Sequence, residues 1–195
     1  MKLYYIILFL TFIISHNSYS SEKRFKVHTL AFYNLENLFD TINDTSKRDE
    51  ASPIMEMKYN RSEVYNKKIK NLSKVISGIG FEETKTLPTI VGLCEVENKN
   101  VVEDLINSDL LKNANYGISH FDSPDERGID VALIYRKNIF KILNENSAYL
   151  ELKYASGKIN YTRDQLVVEG VLENEKIYII VNHWPSRSGG ELGSR

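Results

Sequence analysis

The segments QLVVEGVL (residues 165–172) and KIYIIVNH (residues 176–183) decide how the chain is read. Both are apolar and β-branched, and the polar Glu173-Asn174-Glu175 separates them, so they predict an antiparallel hairpin. The second arm delivers Asn182, His183, Trp184, Pro185, Ser186 and Arg187. Residues at the carboxyl end of a buried strand are where α/β proteins place ligand and catalytic groups, so the hairpin points to an architecture and a candidate site together.

Upstream of the hairpin, Ile129 to Tyr135 reads as a strand with Asp130 near its start, after the polar turn Ser123 to Gly128. Weaker extended segments are expected around Ala148 to Lys153, and another strand over Tyr116 to Phe121. Leu87 to Leu93 is a continuous apolar run of the kind a strand buried on both faces shows, and Glu95 and Glu97 lie at its carboxyl end. Tyr65, Ile69, Leu72, Val75, Ile76 and Ile79 recur at helical spacing, with Asn60 and Glu63 placed as a capping box and Gly78 and Gly80 at the end. Asn100 with Glu103 is placed to cap a short second helix bearing Val101, Val102, Leu105 and Ile106. Phe25 to Tyr33 predicts a first strand ending at Asn34, and the polar Thr41 to Arg61 a long surface loop bordering a site. This order of strand, helix, strand, helix and then mostly strands favours a mixed-sheet α/β or α+β domain over a parallel barrel.

The amino end has a different character. Met1 to Ser20 carries Lys2, an apolar stretch from Leu3 to Ile14 and the polar tail Ser18-Tyr19-Ser20, the three-part plan of a secretory signal peptide. The apolar stretch is shorter than the roughly 20 residues that a bilayer core requires, so an exported protein without stable membrane insertion is expected, with a permanent transmembrane helix as the alternative. Residues 25–195 are then expected to form one domain. A net charge of -1 supplies no whole-molecule attraction to nucleic acid, so any polyanion contact must be local. The single cysteine, Cys94, rules out an internal disulfide framework and four-cysteine zinc sites, and its apolar neighbours predict a buried inert thiol rather than a nucleophile.

Polar groups of complementary kinds gather at four strand ends or turns: Asn34 with Glu36, Glu95 with Glu97, Asp130 beside Arg127, and His183 with Ser186 and Arg187. They suit phosphate ester hydrolysis. A hard cation such as Mg²⁺ prefers carboxylate and amide oxygens, which makes Asn34, Glu36 and Glu95 candidate ligands if the strand ends converge. His183 could activate water or hydrogen-bond a phosphate, and Arg163 and Arg187 could complement phosphate charge. Each residue also has a plainer reading. Glu36 and Glu97 could be solvated strand ends, although strict alternation would set Glu97 on the face of Glu95. His183 could be a satisfied structural histidine, and Asp130 could only pair with Arg127 or Arg136. Arg163 could only solvate a hairpin edge, and Trp184 could stack on a base or pack the turn.

Four stretches in order, FYNLENLF (32–39), GLCEVEN (92–98), RGIDVAL (127–133) and VNHWPSR (181–187), resemble the endonuclease/exonuclease/phosphatase superfamily, the deoxyribonuclease I-like enzymes, and most of all its exported bacterial members. The resemblance covers about Val27 to Gly190. It implies an α/β fold, a four-layer αββα sandwich of two mixed β-sheets, of which this chain would be the amino-terminal portion. It also implies divalent-metal-dependent hydrolysis of phosphodiester bonds, with Mg²⁺, Mn²⁺ or Ca²⁺ as cofactor and a phosphodiester, nucleic acid included, as substrate partner. By the same resemblance Asn34, Glu36 and Glu95 match metal-site positions, and His183 with Asp130 match catalytic ones. Arg163, Asn182 and Arg187 are expected at the substrate phosphate. The superfamily continues with Gly-Asp-x-Asn and Ser-Asp-His motifs, and neither follows His183. The chain is therefore expected to be part of a longer enzyme, with a non-catalytic phosphate-binding module or an inactive fragment as alternatives. A sheet lacking part of its packing partner is marginally stable, so urea unfolding of the mature chain is expected to show a weak transition; one as cooperative as that of an intact domain of this size would contradict this.

Overall fold

The computed structural model describes residues 25–149, 151–154 and 156–184. The expected signal peptide, Ser186 and Arg187 lie outside them. Nine strands run in the order β1 (Leu30–Leu38), β2 (Ile90–Val96), β3 (Tyr116–His120), β4 (Asp130–Arg136), β5 (Phe140–Ala148), β6 (Leu152–Lys153), β7 (Ile159–Asn160), β8 (Gln165–Leu172) and β9 (Glu175–Val181). Helices α1 (Arg61–Gly78) and α2 (Phe81–Thr84) precede β2, and α3 (Lys99–Ile106) follows it.

The first sheet has the order β1-β2-β4-β3 and is mixed, with β1 parallel to β2 and the other pairs antiparallel. The second has the order β5-β8-β9 and is antiparallel throughout, while β6 and β7 form a small separate hairpin. Alternation along the central strands sorts side chains into two cores. Val91, Leu93, Ala132 and Ile134 face the helices, packing with Tyr65, Ile69, Leu72, Ile76, Val102 and Leu105. Ile90, Cys94, Val131 and Leu133 face the second sheet, packing with Phe140, Leu166, Val168 and Val181. Each such apolar side chain, taken from water to full burial, stabilises the fold by about 1.5–3 kcal/mol. The result is a helix–sheet–sheet sandwich of the expected α/β class. On the outer side of the second sheet Tyr178 and Ile180 are exposed. No described helix is long and apolar enough to cross a membrane.

The hairpin expected from residues 165–183 is present, with Leu172 opposite Glu175. Its turn is two residues rather than three: Glu173 and Asn174 both have positive φ (49° and 70°), the backbone a tight turn between twisted strands requires. Strand β1 begins later than expected and runs past Asn34, because Phe25 and Val27 have no ladder partner and are exposed. At α1, Asn60 is left-handed (φ 61°) and makes no capping hydrogen bond, so the expected capping box is absent. The cap of α3 is Asn98 rather than Asn100, its side chain accepting from Val101 N at 3.1 Å. Strand β5 was hidden in the sequence because Lys141, Leu143, Asn144, Glu145 and Asn146 are exposed on this edge strand, leaving little apolar alternation. The 41–61 loop is less superficial than expected: Asp49, Ser52 and Ile54 are buried, and Arg48 N donates to Glu126 O at 2.8 Å.

Where β5 crosses β8, Gly170 lies against Phe140, and a Cβ there would sit 2.8 Å from the Lys141 carbonyl oxygen. Gly170→Ala is therefore expected to destabilise the protein by about 1–3 kcal/mol, measured as a lowered urea midpoint with unchanged slope.

Candidate active site and the adjoining acidic cavity

Two irregularities lie side by side at the carboxyl end of the first sheet. Between the pairs Asn34↔Cys94 and Leu38↔Val96, β1 holds two more residues than β2, and Glu36 and Asn37 take positive φ (54° and 58°). Between Cys94↔Val131 and Val96↔Asp130, β2 holds one more residue than β4, and Glu95 takes φ 60°. These bulges re-aim side chains that simple alternation would send elsewhere. Cys94 faces the second sheet and Val96 the helices, although they are two residues apart.

The two bulges are joined through one carboxylate. Glu95 Oε1 accepts from Asn34 Nδ2 at 2.9 Å, and Glu95 Oε2 accepts from Asn37 N at 2.8 Å. Asn34 Oδ1 in turn accepts from Glu36 N at 2.7 Å. From the end of β9, His183 Nε2 comes within 3.4 Å of the same Glu95 Oε1. The structure thus brings Asn34, Glu95 and His183 together. The Glu36 carboxylate is exposed beside them, on a groove of about 430 Å³ also lined by Tyr33, Asn34, Lys67, Lys68 and Asn71. Lys68 Nζ donates to the carbonyls of Glu36 and Asn37, and burial holds its pKa below the ordinary value against the pull of Glu36 and Glu95.

His183 is held by its backbone. Arg163 is buried and its guanidinium is fully engaged: Nε donates to His183 O at 2.9 Å, Nη2 to Trp184 O at 3.2 Å and Nη1 to Asp125 Oδ2 at 3.0 Å. Burial and the charge of Arg163 lower the imidazole pKa below its ordinary value, with Glu95 opposing and Arg127 adding to the effect, which favours the neutral form of His183. His183 Nδ1 and Asn182 Oδ1 are buried without a hydrogen-bond partner among the described residues. Cys94 is buried as expected, and burial first, then the Glu95 charge, raises its pKa to about 11.

Asp130 and Glu97 belong to a different neighbourhood. Asp130 Oδ1 accepts from Ser123 N at 2.9 Å and Oδ2 lies 3.3 Å from His120 Nε2; neither Arg127 nor Arg136 pairs with it. Arg127 pairs with Asp125 instead, at 3.5 Å. Glu97 is not the solvated strand end that was one reading of it, nor does it share the surroundings of Glu95. It is 8% exposed, and one oxygen accepts from Asp40 N at 2.6 Å. Burial, reinforced by the carboxylates of Asp40, Asp49 and Asp44, raises its pKa to about 7. A cavity of about 220 Å³ is lined by Asp44, Asp49, Glu97, Asn98, Asp122 and Asp130, with Lys47 at its wall. His120, Asp122 and Asp130 can place one ligand atom each within 4.8 Å of one another. Neither Asn37 nor Asp125 carried a sequence signal, since one acts through its backbone N–H and the other through a fold-made ion pair.

A family model described as the Endonuclease/Exonuclease/phosphatase family matches residues 29–195. Among solved structures, humanized D. rerio TDP2 aligns with TM-score 0.49 and 14% identity, covering 83% of this chain and 49% of that one. The endonuclease/exonuclease/phosphatase from Bacteroides vulgatus aligns with TM-score 0.44 and 16% identity, covering 77% of this chain and 49% of that one. The human Nocturnin catalytic domain aligns with TM-score 0.39 and 19% identity, covering 61% and 44%. The chain spans about half the length of these structures. No curated protein matches it.

The two arginines should separate in mutagenesis. Arg163→Ala, which removes the buried partner of Asp125 Oδ2 and the donors to two backbone carbonyls, is expected to cost about 3–5 kcal/mol in urea unfolding. Arg127→Ala, which breaks a pair exposed on its arginine side, is expected to cost less than about 1 kcal/mol in the same measurement.

Proposed function

Because the chain belongs to the endonuclease/exonuclease/phosphatase family, we propose that it acts in metal-dependent hydrolysis of phosphodiester bonds at the Asn34–Glu95–His183 end of its first sheet. The observation that carries this reading is the convergence on one carboxylate, with Asn34 Nδ2 at 2.9 Å and His183 Nε2 at 3.4 Å from Glu95 Oε1.

The donor set fits a hard divalent cation, Mg²⁺ in the first instance and Mn²⁺ or Ca²⁺ otherwise. Each Glu95 oxygen accepts one N–H and keeps lone-pair capacity, its side chain is only partly buried, and no thiolate competes, since Cys94 faces the other sheet. Glu95 is the residue that would hold the ion, with Glu36 and the second lone pair of Asn34 Oδ1 on the adjoining β1 irregularity. A bound cation of this kind polarises a phosphoryl oxygen and lowers the pKa of a bound water.

The protein groups have separate roles. Asn34 and the Asn37 N–H orient the Glu95 carboxylate, so its geometry exists before substrate arrives. His183, whose neutral form is favoured, can accept a proton or donate one hydrogen bond at Nε2, the ring nitrogen that faces Glu95. Arg163 is a positioning residue that fixes the His183 and Trp184 carbonyls. The phosphate-facing cations in this reading are Arg127, whose charge is felt at His183, and Arg187. The groove bearing Lys67 and Lys68 would take the flanking part of the substrate, and a nucleic acid strand fits that local positive lining better than the near-neutral whole. Asp130, drawn into the acidic cavity, has at most an indirect part. Export is included in the proposal, supported by the three-part plan of residues 1–20.

Hydrolysis of bis(p-nitrophenyl) phosphate with Mg²⁺ tests the reading. EDTA is expected to abolish it, and Glu95→Gln to lower kcat/KM by about 100-fold or more. Turnover that survives both would sink the proposal, while substrate binding without turnover in the wild type would identify a phosphate-binding module instead.

A further inference from the structure

We propose that the acidic cavity beside the active-site strand ends is a structural Ca²⁺ site, separate from the cation held by Glu95. Three segments that are distant in sequence send carboxylates to it: Asp44 and Asp49 from the 41–61 loop, Glu97 from just beyond β2, and Asp122 with Asp130 from the β3–β4 connection and the first residue of β4. The protein supplies little charge of its own to balance them. Lys47 reaches this wall, but its ammonium donates to Ser123 O at 2.8 Å and to Asp125 O at 3.2 Å. His120 lies against Asp130, at 3.3 Å from Nε2 to Oδ2, and makes no aligned hydrogen bond there.

A second observation points to a ligand. Asp49 is 1% exposed, its Oδ2 accepts from Asp44 N at 2.8 Å, and its Oδ1 has no partner among the described residues. A buried carboxylate oxygen without a donor is costly, and none of the described residues brings an N–H or O–H to it. A cation in the cavity that Asp49 lines would satisfy that oxygen and offset the repulsion among the acids around it.

The chemistry selects the ion. The cavity wall offers oxygens, the amide of Asn98 beside the carboxylates, and the group whose ligand atoms lie within 4.8 Å of one another, His120, Asp122 and Asp130, adds a single imidazole; oxygens predominate, which favours a hard cation over zinc-like ones. Their origin on three irregular segments suits the high and adaptable coordination number of Ca²⁺ better than the strict octahedron of Mg²⁺. His120 would then act as an outer partner that orients Asp130. Such an ion would tie the 41–61 loop to the ends of β2 and β4. It goes beyond the proposed reaction, because Glu95 does not line this cavity.

Ca²⁺ titration of the full chain by calorimetry, with thermal unfolding followed by circular dichroism, tests the site. The wild type is expected to bind Ca²⁺ saturably and to melt several degrees higher at saturation, with a smaller shift in equal Mg²⁺. Glu95→Gln, which removes the active-site ligand, is expected to keep that binding. Asp44→Asn, at an exposed position and retaining an oxygen that can accept from Ser46, is expected to weaken it at least about tenfold. Absence of Ca²⁺ binding in the wild type, its loss in Glu95→Gln, or its persistence unchanged in Asp44→Asn would each overturn the proposal. Since the Glu95→Gln arm separates the two ions, a failed Ca²⁺ site leaves the phosphodiesterase reading standing, and the reverse also holds.

Discussion

The Glu95 carboxylate, accepting from Asn34 Nδ2 and Asn37 N, is the contact on which the carboxyl end of the first sheet depends. Three non-glycine residues in adjoining strands, Glu36, Asn37 and Glu95, hold left-handed backbone there. Each conformation costs on the order of 1–3 kcal/mol, and such strain persists only where surrounding contacts over-determine it. The two hydrogen bonds to an ionised carboxylate provide that over-determination, because charge-assisted bonds are roughly twice as strong as neutral ones. The inserted residues also have a packing consequence. The extra residue in β2 lets Cys94 complete the sheet–sheet core while Val96 enters the helix-facing core, so both layers are filled up to the rim of the site.

The second constraint acts on the other wall. The end of β9 is fastened by Arg163, whose three donor positions reach two backbone carbonyls and the Asp125 carboxylate. Arginine suits this because its planar fork presents several donors in fixed geometry, which an ammonium does not. Burial first, and then the same charge that holds the backbone, lower the imidazole pKa, so Arg163 contributes to both the position and the protonation of His183. The orphaned Nδ1 and Asn182 Oδ1 mark the polar capacity left over once the backbone has been tied.

Much of this was legible in the sequence where apolar period and chemistry agree. The hairpin of 165–183, the buried strand before Glu95 and the helix over Tyr65 to Ile76 follow from their patterns, and Asn34, Glu95 and His183 stand out as polar residues closing apolar runs. What was hidden has physical causes. Bulges are set by register between strands, so neither the left-handed Glu95 nor the divergence of Glu97 from it can be read from alternation, which predicts the opposite. Asn37 contributes an N–H that any residue except proline would offer. Asp125 becomes important only because the fold carries Arg163 to it, and β5 lacked an apolar signal because an exposed edge strand buries little. The cap of α3 lies at Asn98 because its side chain reaches Val101 N, while Asn100 already lies inside the helix.

The divergence of Glu95 and Glu97 also explains how so many acids coexist at one sheet end. Ionised carboxylates a few ångströms apart repel by several kcal/mol at partly buried sites unless donors or cations separate them. Around Glu95 the fold places Asn34, Asn37, Lys68 and His183, so that carboxylate is compensated from within. Around Glu97 it places Asp40, Asp44 and Asp49, with one backbone N–H as direct donor, and the pKa rises to about 7. A single bulge thus turns two acids from one strand toward opposite electrostatic surroundings. The compensated one has its donors supplied by the protein on both carboxylate oxygens. The uncompensated one needs either a proton or an ion from solution, and its protein neighbours leave that choice to the solvent.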